Sequence, residues 1–295
     1  GKTAAFLLPL IDKVYRDRQE KVLIIAPTRE LALQIDNELR EFAPDMRIYS
    51  AVCVGGMPIY AQIHSLRRNP HFVIGTPGRL KDLNLRHQIR FEQFGNIVLD
   101  EVDRMLDMGF IDEIRNILGQ LPTKRQSLFF SATLPPRIKE LTQQFLTNPT
   151  TIEVKTGETA ANVEQDIVRV QNPSVKFQTL HDLLNKDELK KVLIFNETKH
   201  GVEKLTDELV KSGFRAESIH GNKRQSQRQR SLTLFRDGAV NILVATDVAA
   251  RGLDIRNITH VINYTLPQSY NDYIHRIGRT GRGACTGKAL TFVGA

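Results

Sequence analysis

The sequence predicts an α/β protein of two tandem domains, each with a parallel β-sheet flanked by helices. Short apolar runs rich in β-branched residues alternate with segments of helical periodicity, which is typical of βαβ units. The alternation lapses once, between Thr147 and Asn162, and then begins again. The length of 295 residues is also about that of two ordinary domains.

The first half contains a regular succession of candidate strands and helices. The candidate strands lie at 22–26, 48–54, 72–75, 96–100 and 127–131. Apolar residues at helical spacing follow Gly1-Lys2-Thr3 and recur over 29–42 and 137–146. Each such helix is expected to pack one apolar face on the sheet.

The second half repeats this pattern after a break. Asn148-Pro149, Gly157 and a Thr-rich stretch interrupt both periods, which predicts a linker at 153–163 between domains at 1–152 and 164–295. The second set comprises strands near 192–196, 216–219, 241–245, 260–264 and 289–293, and helices near 176–185, 200–212 and 225–236. This repetition predicts two similar domains.

Composition narrows the class of protein. Lys and Arg number 41 against 33 Asp and Glu, and the pI near 9.5 favours a polyanionic partner such as nucleic acid. Cys53 and Cys285 lie far apart outside any C-x-x-C pattern, which argues against a disulfide framework or a zinc site. The apolar runs are too short to cross a bilayer and no signal-peptide pattern is visible, so a cytoplasmic protein without a membrane partner is expected.

Asp100-Glu101-Val102-Asp103 follows the apolar run Ile97-Val98-Leu99, where a buried strand is expected to end. Two adjacent carboxylates there suit a magnesium-nucleotide site, because the first can hold the metal's water shell and the second can orient an attacking water. A strand that simply meets solvent would give the same pattern. The neighbouring motifs favour the nucleotide site.

Gly1-Lys2-Thr3 matches the end of the phosphate-binding loop G-x-x-x-x-G-K-[ST], in which N–H groups and the lysine bind phosphates and the hydroxyl ligates magnesium. A helical pattern follows directly, as this loop requires. A bare GKT also occurs by chance. The first half of the loop is absent from the sequence, which predicts a chain truncated within this motif.

Ser131-Ala132-Thr133 follows the predicted strand at 127–131 and should emerge beside the acidic residues. Its hydroxyls could hydrogen-bond Asp103 and so connect the nucleotide state to the position of a domain. An ordinary polar turn before Leu134-Pro135-Pro136 is the alternative.

The stretch from His275 to Arg282 reads HRIGRTGR and carries dense positive charge, which is costly without an anionic partner. An arginine inserted from a neighbouring domain can stabilise a transferring phosphoryl group, with effects of about 10³ to 10⁵ in rate. A solvated basic turn is the alternative. In the nearby stretch 244–254, Asp254 could accept a hydrogen bond from a ribose hydroxyl, and Arg251 could pair with a phosphate or with an acidic neighbour.

Four further motifs resemble sites that bind a nucleic-acid backbone: Pro27-Thr28-Arg29, Gly55-Gly56, Thr76-Pro77-Gly78-Arg79, and His220-Gly221 through Gln225 and Arg228. A Thr or Ser before a helix, with glycine allowing close approach, can present N–H groups to phosphate oxygens. Each alone could be a helix cap or a turn. Together they predict one strand of nucleic acid across both domains, with recognition mainly of its backbone.

In order and approximate spacing, the motifs resemble those of the DEAD-box RNA helicases of superfamily 2, whose core is a pair of RecA-like domains. They are PTREL at 27–31, TPGR at 76–79, DEVD at 100–103, SAT at 131–133, VATDVAARGLD at 244–254 and HRIGRTGR at 275–282. The resemblance spans the whole chain. DRMLDMGF at 103–110, TKHG at 198–201 and IHGNK at 219–223 look most like the bacterial RhlE-type branch.

The resemblance implies an RNA-stimulated ATPase that couples ATP binding and hydrolysis to RNA strand bending and local duplex unwinding. ATP and Mg²⁺ would be its cofactors and RNA its partner, with a monomeric core and unknown protein partners. Gly1, Lys2 and Thr3 would bind the phosphates, Thr3 and Asp100 the metal, and Glu101 would act as the base. The remaining nucleotide contacts would be Gly252, Asp254 and the arginine fingers Arg279 and Arg282.

The resemblance also implies coupling and RNA-binding roles. Asp103, Ser131, Thr133 and His275 would link the nucleotide site to RNA. RNA would contact Pro27, Thr28, Arg29, Gly55, Gly56, Thr76, Gly78, Arg79, Gly221, Gln225, Arg228 and Thr246.

Two departures from the family pattern leave alternatives open. Val102 stands where the family has Ala, and overpacking costs about 1–3 kcal/mol when unrelieved. The adenine motif and the first half of the phosphate loop are absent from the sequence. The incomplete loop makes an RNA-binding fragment without ATPase activity one alternative. A DNA helicase of the same superfamily is a second.

Overall fold

The chain folds into two compact units, Gly1–Ile152 and Glu153–Ala295. The computed structural model describes residues 2–153, 162–250, 255, 257–281 and 286–294. Each unit contains a parallel sheet with flanking helices, so the predicted fold class is confirmed. Most of the predicted linker at 153–163 lies outside the described residues, and its bounds stay a prediction.

The sheet of the first unit has five strands in the order β2-β3-β1-β4-β5, and all neighbouring pairs are parallel. The strands are β1 (Val22–Ile25), β2 (Ser50–Cys53), β3 (Phe72–Gly75), β4 (Asn96–Leu99) and β5 (Gln126–Phe129). All five overlap the strands predicted from the sequence. The apolar runs of β1, β3 and β4 are buried along their whole length, as expected for strands covered on both faces.

Helices cover both faces of this sheet. They are α1 (Lys2–Arg16), α2 (Arg29–Phe42), α3 (Ile59–Arg67), α4 (Pro77–Leu85), α5 (Val102–Asp107), α6 (Ile111–Gly119) and α7 (Pro136–Phe145). The apolar sides of α1 and α2 pack with Val22 and Ile24. Their neighbours Leu23 and Ile25 point to the opposite face, where α4 to α7 pack. Successive residues of one strand therefore supply two separate cores.

The sheet of the second unit has six strands in the order β6-β11-β10-β7-β9-β8, again with all neighbouring pairs parallel. The strands are β6 (Val163–Val170), β7 (Val192–Phe195), β8 (Ala216–Ile219), β9 (Ile242–Ala245), β10 (His260–Asn263) and β11 (Gly287–Gly294). The helices are α8 (Lys176–Leu184), α9 (Lys199–Lys211), α10 (Gln225–Arg236), α11 (Asp247–Ala250) and α12 (Tyr270–Ile277). Without β6, this strand order repeats that of the first sheet.

The sequence analysis gave no helix at α3 to α6, α11 or α12, and among the described strands it missed β6. Only its end residues Val163 and Val170 are buried, so it lacks the apolar run of the other strands. It pairs with β11 along eight residues at the edge of the sheet. Backbone hydrogen bonds, rather than side-chain burial, hold it there, and such a strand leaves little signal in hydrophobic periodicity.

The parallel arrangement places the polar motifs of the first unit at one edge of the sheet. The ends of β1, β2 and β3 lead into Thr28, Gly55 and Thr76. The ends of β4 and β5 lead into Asp100 and Ser131. Ligands of open parallel sheets bind at this carboxyl edge.

Gly75, the last residue of β3, is a sensitive packing position. A Cβ atom added there would lie 2.6 Å from the Cys53 carbonyl oxygen and 2.8 Å from Leu80. We expect Gly75→Ala to lower the free energy of unfolding by about 1–3 kcal/mol because the site is overpacked. The urea midpoint measured by circular dichroism tests this.

Gly119→Ala is the matched control. An added Cβ at Gly119, the last residue of α6, would meet no atom within 4 Å. Its midpoint should stay the same or rise, since alanine favours a helix over glycine. Equal midpoints for the two variants would contradict the packing described at Gly75.

Candidate functional site

Asp100 is a buried carboxylate at the end of β4, with 4% of its surface exposed. Its N–H group donates to the Ile25 carbonyl at 3.0 Å, and its Oδ1 accepts from the Glu101 N–H group at 3.0 Å. Burial and then the negative charge of Glu101 raise the pKa of Asp100 to about 7, and the charge of Lys2 opposes this rise. The charged form of Asp100 is therefore disfavoured, and a bound cation would stabilise it.

Glu101 has a left-handed backbone, with φ 53° and ψ 54°. A non-glycine residue in this region costs on the order of 1–3 kcal/mol and is often found at functional sites. Its Oε2 accepts from Arg104 Nη1 at 2.8 Å, and the Arg104 side chain is only 4% exposed. The ion pair with a buried guanidinium holds the carboxylate in one orientation. The sequence analysis missed Arg104, although its i,i+3 spacing from Glu101 is a signal for such a pair.

The donor groups at this site suit magnesium. Mg²⁺ usually binds one or two carboxylates and takes its other ligands from phosphate and water. Asp100 offers a buried carboxylate of raised pKa, and Thr3 offers a half-buried hydroxyl in the first turn of α1. Among the described residues, no group of three or more His, Cys, Asp or Glu could hold a metal ion. An ion at Asp100 would therefore need phosphate or water ligands.

Helix α1 begins close to the acidic residues. Lys2 is exposed at its first position and is near enough for its charge to lower the pKa of Asp100. Further along, the buried ring of Phe6 packs against Phe130 with ring centroids 5.3 Å apart. This contact joins α1 to the segment that precedes Ser131. Gly1 lies outside the described residues.

Asp103 is hydrogen-bonded to the segment from Ser131 to Thr133. Its Oδ2 accepts from the Thr133 N–H group and hydroxyl, both at 3.0 Å, and from the Ala132 N–H group at 3.1 Å. Its own N–H group donates to Ser131 Oγ at 3.4 Å, and that hydroxyl donates to the Thr133 carbonyl at 2.6 Å. The structure thus brings together these three coupling residues of the sequence analysis. Val102, beside them, is fully buried in the core.

Two of the predicted RNA-binding motifs meet at the ends of β1 and β2. Thr28 is the N-cap of α2 and accepts from the Leu31 N–H group at 3.4 Å. The guanidinium of Arg29 lies over Gly55-Gly56, since a Cβ added to Gly56 would be 1.9 Å from Arg29 Nη1. Gly56 has φ +72°, a backbone conformation that favours glycine, and its lack of a Cβ leaves room for the Arg29 guanidinium.

Two further side chains bond the backbone of the turn at Gly55-Gly56, the glycine turn. Gln62 is 4% exposed, and its Nε2 donates to the carbonyls of Val54 at 2.9 Å and Met57 at 3.4 Å. Arg79 Nη1 donates to the same Met57 carbonyl at 3.4 Å. The Thr76-to-Arg79 motif is therefore connected to the glycine turn. Gln62 was missed, because an amide within an apolar helix pattern gives no distinct signal.

The second unit has a comparable turn after β8. His220 is 5% exposed, bonds Glu203 through Nε2, and accepts from the Asn222 N–H group through Nδ1 at 3.3 Å. Lys199 donates to Asn222 Oδ1 at 3.0 Å. These contacts fix the turn at Gly221. Hydrogen bonding to His220 and the charge of Lys223 lower the pKa of Glu203 despite its partial burial.

The other predicted RNA contacts in the second unit differ in accessibility. Gln225 is half-buried at the first position of α10, whereas Arg228 in the same helix is 8% exposed. Thr246 is 7% exposed and accepts through its carbonyl from Ala249 and Ala250. Contact with RNA remains a prediction for all three.

Arg276 corrects the interpretation of the HRIGRTGR stretch. It is 2% exposed in α12 and forms a two-point ion pair with Asp247, with Nε–Oδ1 2.6 Å and Nη2–Oδ2 2.7 Å. It also donates to the Thr265 carbonyl at 2.7 Å. One of the three arginines thus has its anionic partner within the unit and is not a phosphate ligand. Nothing in the spacing signals that Asp247 would be that partner.

The remaining residues of this stretch are described only in part. Arg279 is half-buried, and its Nε donates to the His275 carbonyl at 3.3 Å. The predicted nucleotide contacts Gly252, Asp254 and Arg282 lie outside the described residues, as does Arg251. Their roles stay predictions.

A cavity of about 200 Å³ lies elsewhere in the first unit, lined by residues that include Pro70, Val73, His87 and Ile89. These residues lie near the start of β3 and beyond α4, away from the carboxyl edge. We therefore assign the site from the hydrogen bonds and charges at that edge.

The comparisons with known proteins identify the family. Residues 1–141 match the family described as DEAD/DEAH box helicase, and residues 175–284 match the helicase conserved C-terminal domain. Dbp5 of S. cerevisiae, solved with RNA and ADP BeF3, is similar with a TM-score of 0.88 and 32% identity over 100% of this chain and 77% of that one. The chain belongs to the DEAD-box helicase family.

Other members show the same relationship. The DEAD-box ATP-dependent RNA helicase CshA of Bacillus licheniformis is 45% identical over 99% of this chain. The chain spans 60% of that relative's length. Mss116p, solved with ssRNA and AMP-PNP, is similar with a TM-score of 0.87 and 30% identity over 100% of this chain and 64% of that one.

The comparisons correct the predicted branch of the family. Curated bacterial relatives at 44–45% identity are named CshA, so the similarity does not support the RhlE-type branch. The short motifs that suggested that branch cover few positions and discriminate poorly between branches. In the described part of the chain, no helix is long and apolar enough to span a membrane.

The raised pKa of Asp100 predicts a pH-dependent stability in the absence of metal and nucleotide. Between about pH 4 and pH 7, the folded state holds a proton that the unfolded carboxyl loses, so stability falls as the pH rises through this window. We expect Asp100→Asn to remove this decline. Its urea midpoint should match the wild type near pH 4 and exceed it above pH 7.

The measurement is a series of urea midpoints for both proteins from pH 4 to pH 8. Asp112→Asn, on the surface of α6, is the control and should leave the pH dependence unchanged. A constant difference between Asp100→Asn and the wild type at every pH would contradict the raised pKa.

Proposed function

We propose that this chain is the core of an ATP-dependent RNA helicase, which couples ATP binding and hydrolysis to RNA strand bending and local duplex unwinding. The main support is the carboxyl edge of the first sheet. There a buried carboxylate of raised pKa lies next to Glu101 and near Lys2, while Asp103 bonds the Ser131-to-Thr133 segment. The names of the CshA relatives agree with this activity.

In the proposed ATP site, Gly1, Lys2 and Thr3 bind the phosphates, and Thr3 and Asp100 hold Mg²⁺. The bound ion supplies positive charge that offsets the charge of the phosphates. Glu101 acts as the base for the attacking water. Because Arg104 engages Oε2 of Glu101, the other oxygen is directed to that water.

Replacement of Glu101 by glutamine tests the base. Glutamine has nearly the same size but cannot accept the proton, so RNA-stimulated phosphate release should fall about 10²- to 10⁴-fold. ATP-dependent RNA binding should persist, since the phosphate contacts remain. Steady-state phosphate release and RNA affinity with and without ATP are the two measurements.

Glu113→Gln is the matched control, because Glu113 is a half-buried carboxylate of the same unit that pairs with Lys81. It should hydrolyse ATP like the wild type. Unchanged phosphate release by the Glu101 variant would contradict the proposed base.

The hydrogen bonds of Asp103 are proposed to couple the nucleotide site to RNA unwinding. Thr133→Val removes the hydroxyl bond to Asp103, and Ser131→Ala removes the second hydroxyl. A hydrogen bond to a charged group contributes about 1.5–3 kcal/mol, so the double variant should unwind duplexes at least about tenfold more slowly. Its ATP hydrolysis at saturating RNA should change little.

Thr142→Val controls for the change of residue type, because the Thr142 hydroxyl donates to the Lys139 carbonyl within α7. It should unwind normally. Equal loss of hydrolysis and unwinding in the double variant would contradict a coupling role. His275 is proposed as a further coupling residue.

RNA is proposed to contact the first unit at Pro27, Thr28, Arg29, Gly55, Gly56, Thr76, Gly78 and Arg79. The connection of Arg29 and Arg79 to one glycine turn supports this. In the second unit the proposed contacts are Gly221, Gln225, Arg228 and Thr246. Backbone recognition predicts salt-sensitive binding with little sequence preference.

The remaining assignments rest on the family resemblance. Arg279 and Arg282 are proposed as arginine fingers, and Gly252 and Asp254 as nucleotide contacts. A monomeric core and a cytoplasmic location also stay predictions. The alternative of an RNA-binding chain without ATPase activity predicts RNA affinity that ATP does not alter, which the Glu101 experiment also measures.

A further inference from the structure

Helix α3 presents an exposed basic and aromatic side that none of the proposed roles uses. We call Tyr60, His64, Arg67 and Arg68 the α3 outer face, with Arg68 at the C-cap. Their spacing of four, seven and eight residues from Tyr60 places them on one side of the helix. Tyr60 is 84% exposed and the other three are also exposed.

The opposite side of α3 fixes this orientation. Ile59, Ile63 and Leu66 pack against the core of the first unit, and Gln62 is buried beneath the glycine turn. These contacts fix one side of α3 against the core. Its outer face cannot rotate inward without the loss of these contacts.

The sequence around the α3 outer face contains basic residues and no acidic ones. The sequence from 46 to 81 contains no Asp or Glu, although the whole chain has 33 in 295 residues, or about one in nine. The same stretch contains five basic residues: Arg47, Arg67, Arg68, Arg79 and Lys81. Two of them pair with carboxylates outside the stretch, Arg79 with Asp82 and Lys81 with Glu113. Arg68 lies 3.2 Å from His64 Nε2, and neither Arg67 nor Arg68 pairs with a carboxylate in the described part of the chain.

The α3 outer face continues from the proposed RNA site. Helix α3 begins three residues after Gly56, at the carboxyl edge of the sheet, and runs about 14 Å toward the other edge. Tyr60 lies at the end nearest the glycine turn, and Arg67 and Arg68 lie at the far end. A strand that leaves the turn along α3 would meet an aromatic ring first and two cations next.

We propose that the α3 outer face is a second RNA-contact surface, which binds the RNA that continues beyond the Gly55-Gly56 turn. Tyr60 stacks on a base, and Arg67 and Arg68 contact phosphates. This inference rests on the proposed RNA-binding function. Continuity with the turn favours RNA over an acidic protein surface, and an aromatic ring beside cations is the usual pattern of single-strand binding.

The test compares two RNA strands of one sequence composition. The short strand fills only the site at the turn, and the long strand extends it by about six nucleotides at each end. Wild type should bind the long strand more tightly. Arg67→Gln with Arg68→Gln should lose about tenfold in affinity for the long strand only, and the salt dependence (log Kd against log salt) should decrease by about 1.4, or about 0.7 for each lost phosphate contact.

Tyrosine variants separate stacking from charge. Tyr60→Ala should lose about tenfold on the long strand, whereas Tyr60→Phe, which keeps the ring, should bind like wild type. Lys186→Gln with Lys190→Gln removes two charges from an exposed part of the second unit and should have little effect. The thermal midpoints should match, because all changed side chains are exposed.

The outcomes distinguish this inference from the proposed function. Arg29→Ala should weaken binding of both strands if the turn is an RNA site. If it does so while the α3 variants bind the long strand like wild type, the inference is wrong and the function stands. If the wild type binds neither strand, both this inference and the proposed function are wrong. The inference would also be wrong if the Arg67 and Arg68 double variant and the Lys186 and Lys190 double variant lost the same affinity for the long strand. Net charge alone would then explain the loss.

Discussion

The parallel pairing of β1, β4 and β5 is the constraint on which the site of the first unit depends. Register places Ile25 beside Leu99 and Leu99 beside Phe129, so three chain segments leave the sheet at the same level. Beyond the end of β4, the Asp100 N–H group donates to the Ile25 carbonyl and so extends the hydrogen bonding between β1 and β4. The Val102 N–H group donates to the Phe130 carbonyl. A shift of one residue in any of these strands would turn its side chains to the other face and separate the acidic residues from Ser131.

Burial at this edge gives the acidic residues different chemistry. Asp100 is deeply buried with few hydrogen-bond donors, so its charged form is disfavoured. Asp103 is also buried, but its carboxylate accepts four hydrogen bonds, one from Arg104 and three from the Ala132-Thr133 segment. Glu101 lies between them, half-buried and paired with Arg104. Asp100 thus suits cation binding, Glu101 suits proton acceptance, and Asp103 connects the site to the Ala132-Thr133 segment.

Much of the fold followed from the sequence because burial on both faces leaves continuous apolar runs. The runs at β1, β3 and β4 specified their strands, and the predicted helices at 29–42 and near 200–212 correspond to α2 and α9. The edge strand β6 was missed because its side chains are mostly exposed. The Arg276–Asp247 pair was missed because the partners are 29 residues apart and only the packing of α12 brings them together. Periodicity reports burial along one element, whereas a site also depends on contacts between elements.

The arginines show why charge in the sequence alone could not locate the ligand surface. Arg104 and Arg276 are buried and paired with carboxylates, so they contribute little to the electrostatic potential outside the protein. Arg29 and Arg79 lie on the backbone of the glycine turn, where they shape a surface and remain partly accessible. Arg67 and Arg68 face solvent in a stretch without acidic residues. The net charge of +8 counts all of these equally, but an approaching polyanion would be attracted mainly by cations that are exposed and lack a carboxylate partner. In the first unit Arg67 and Arg68 of α3 meet that condition, so their electrostatic attraction for RNA should weaken with added salt.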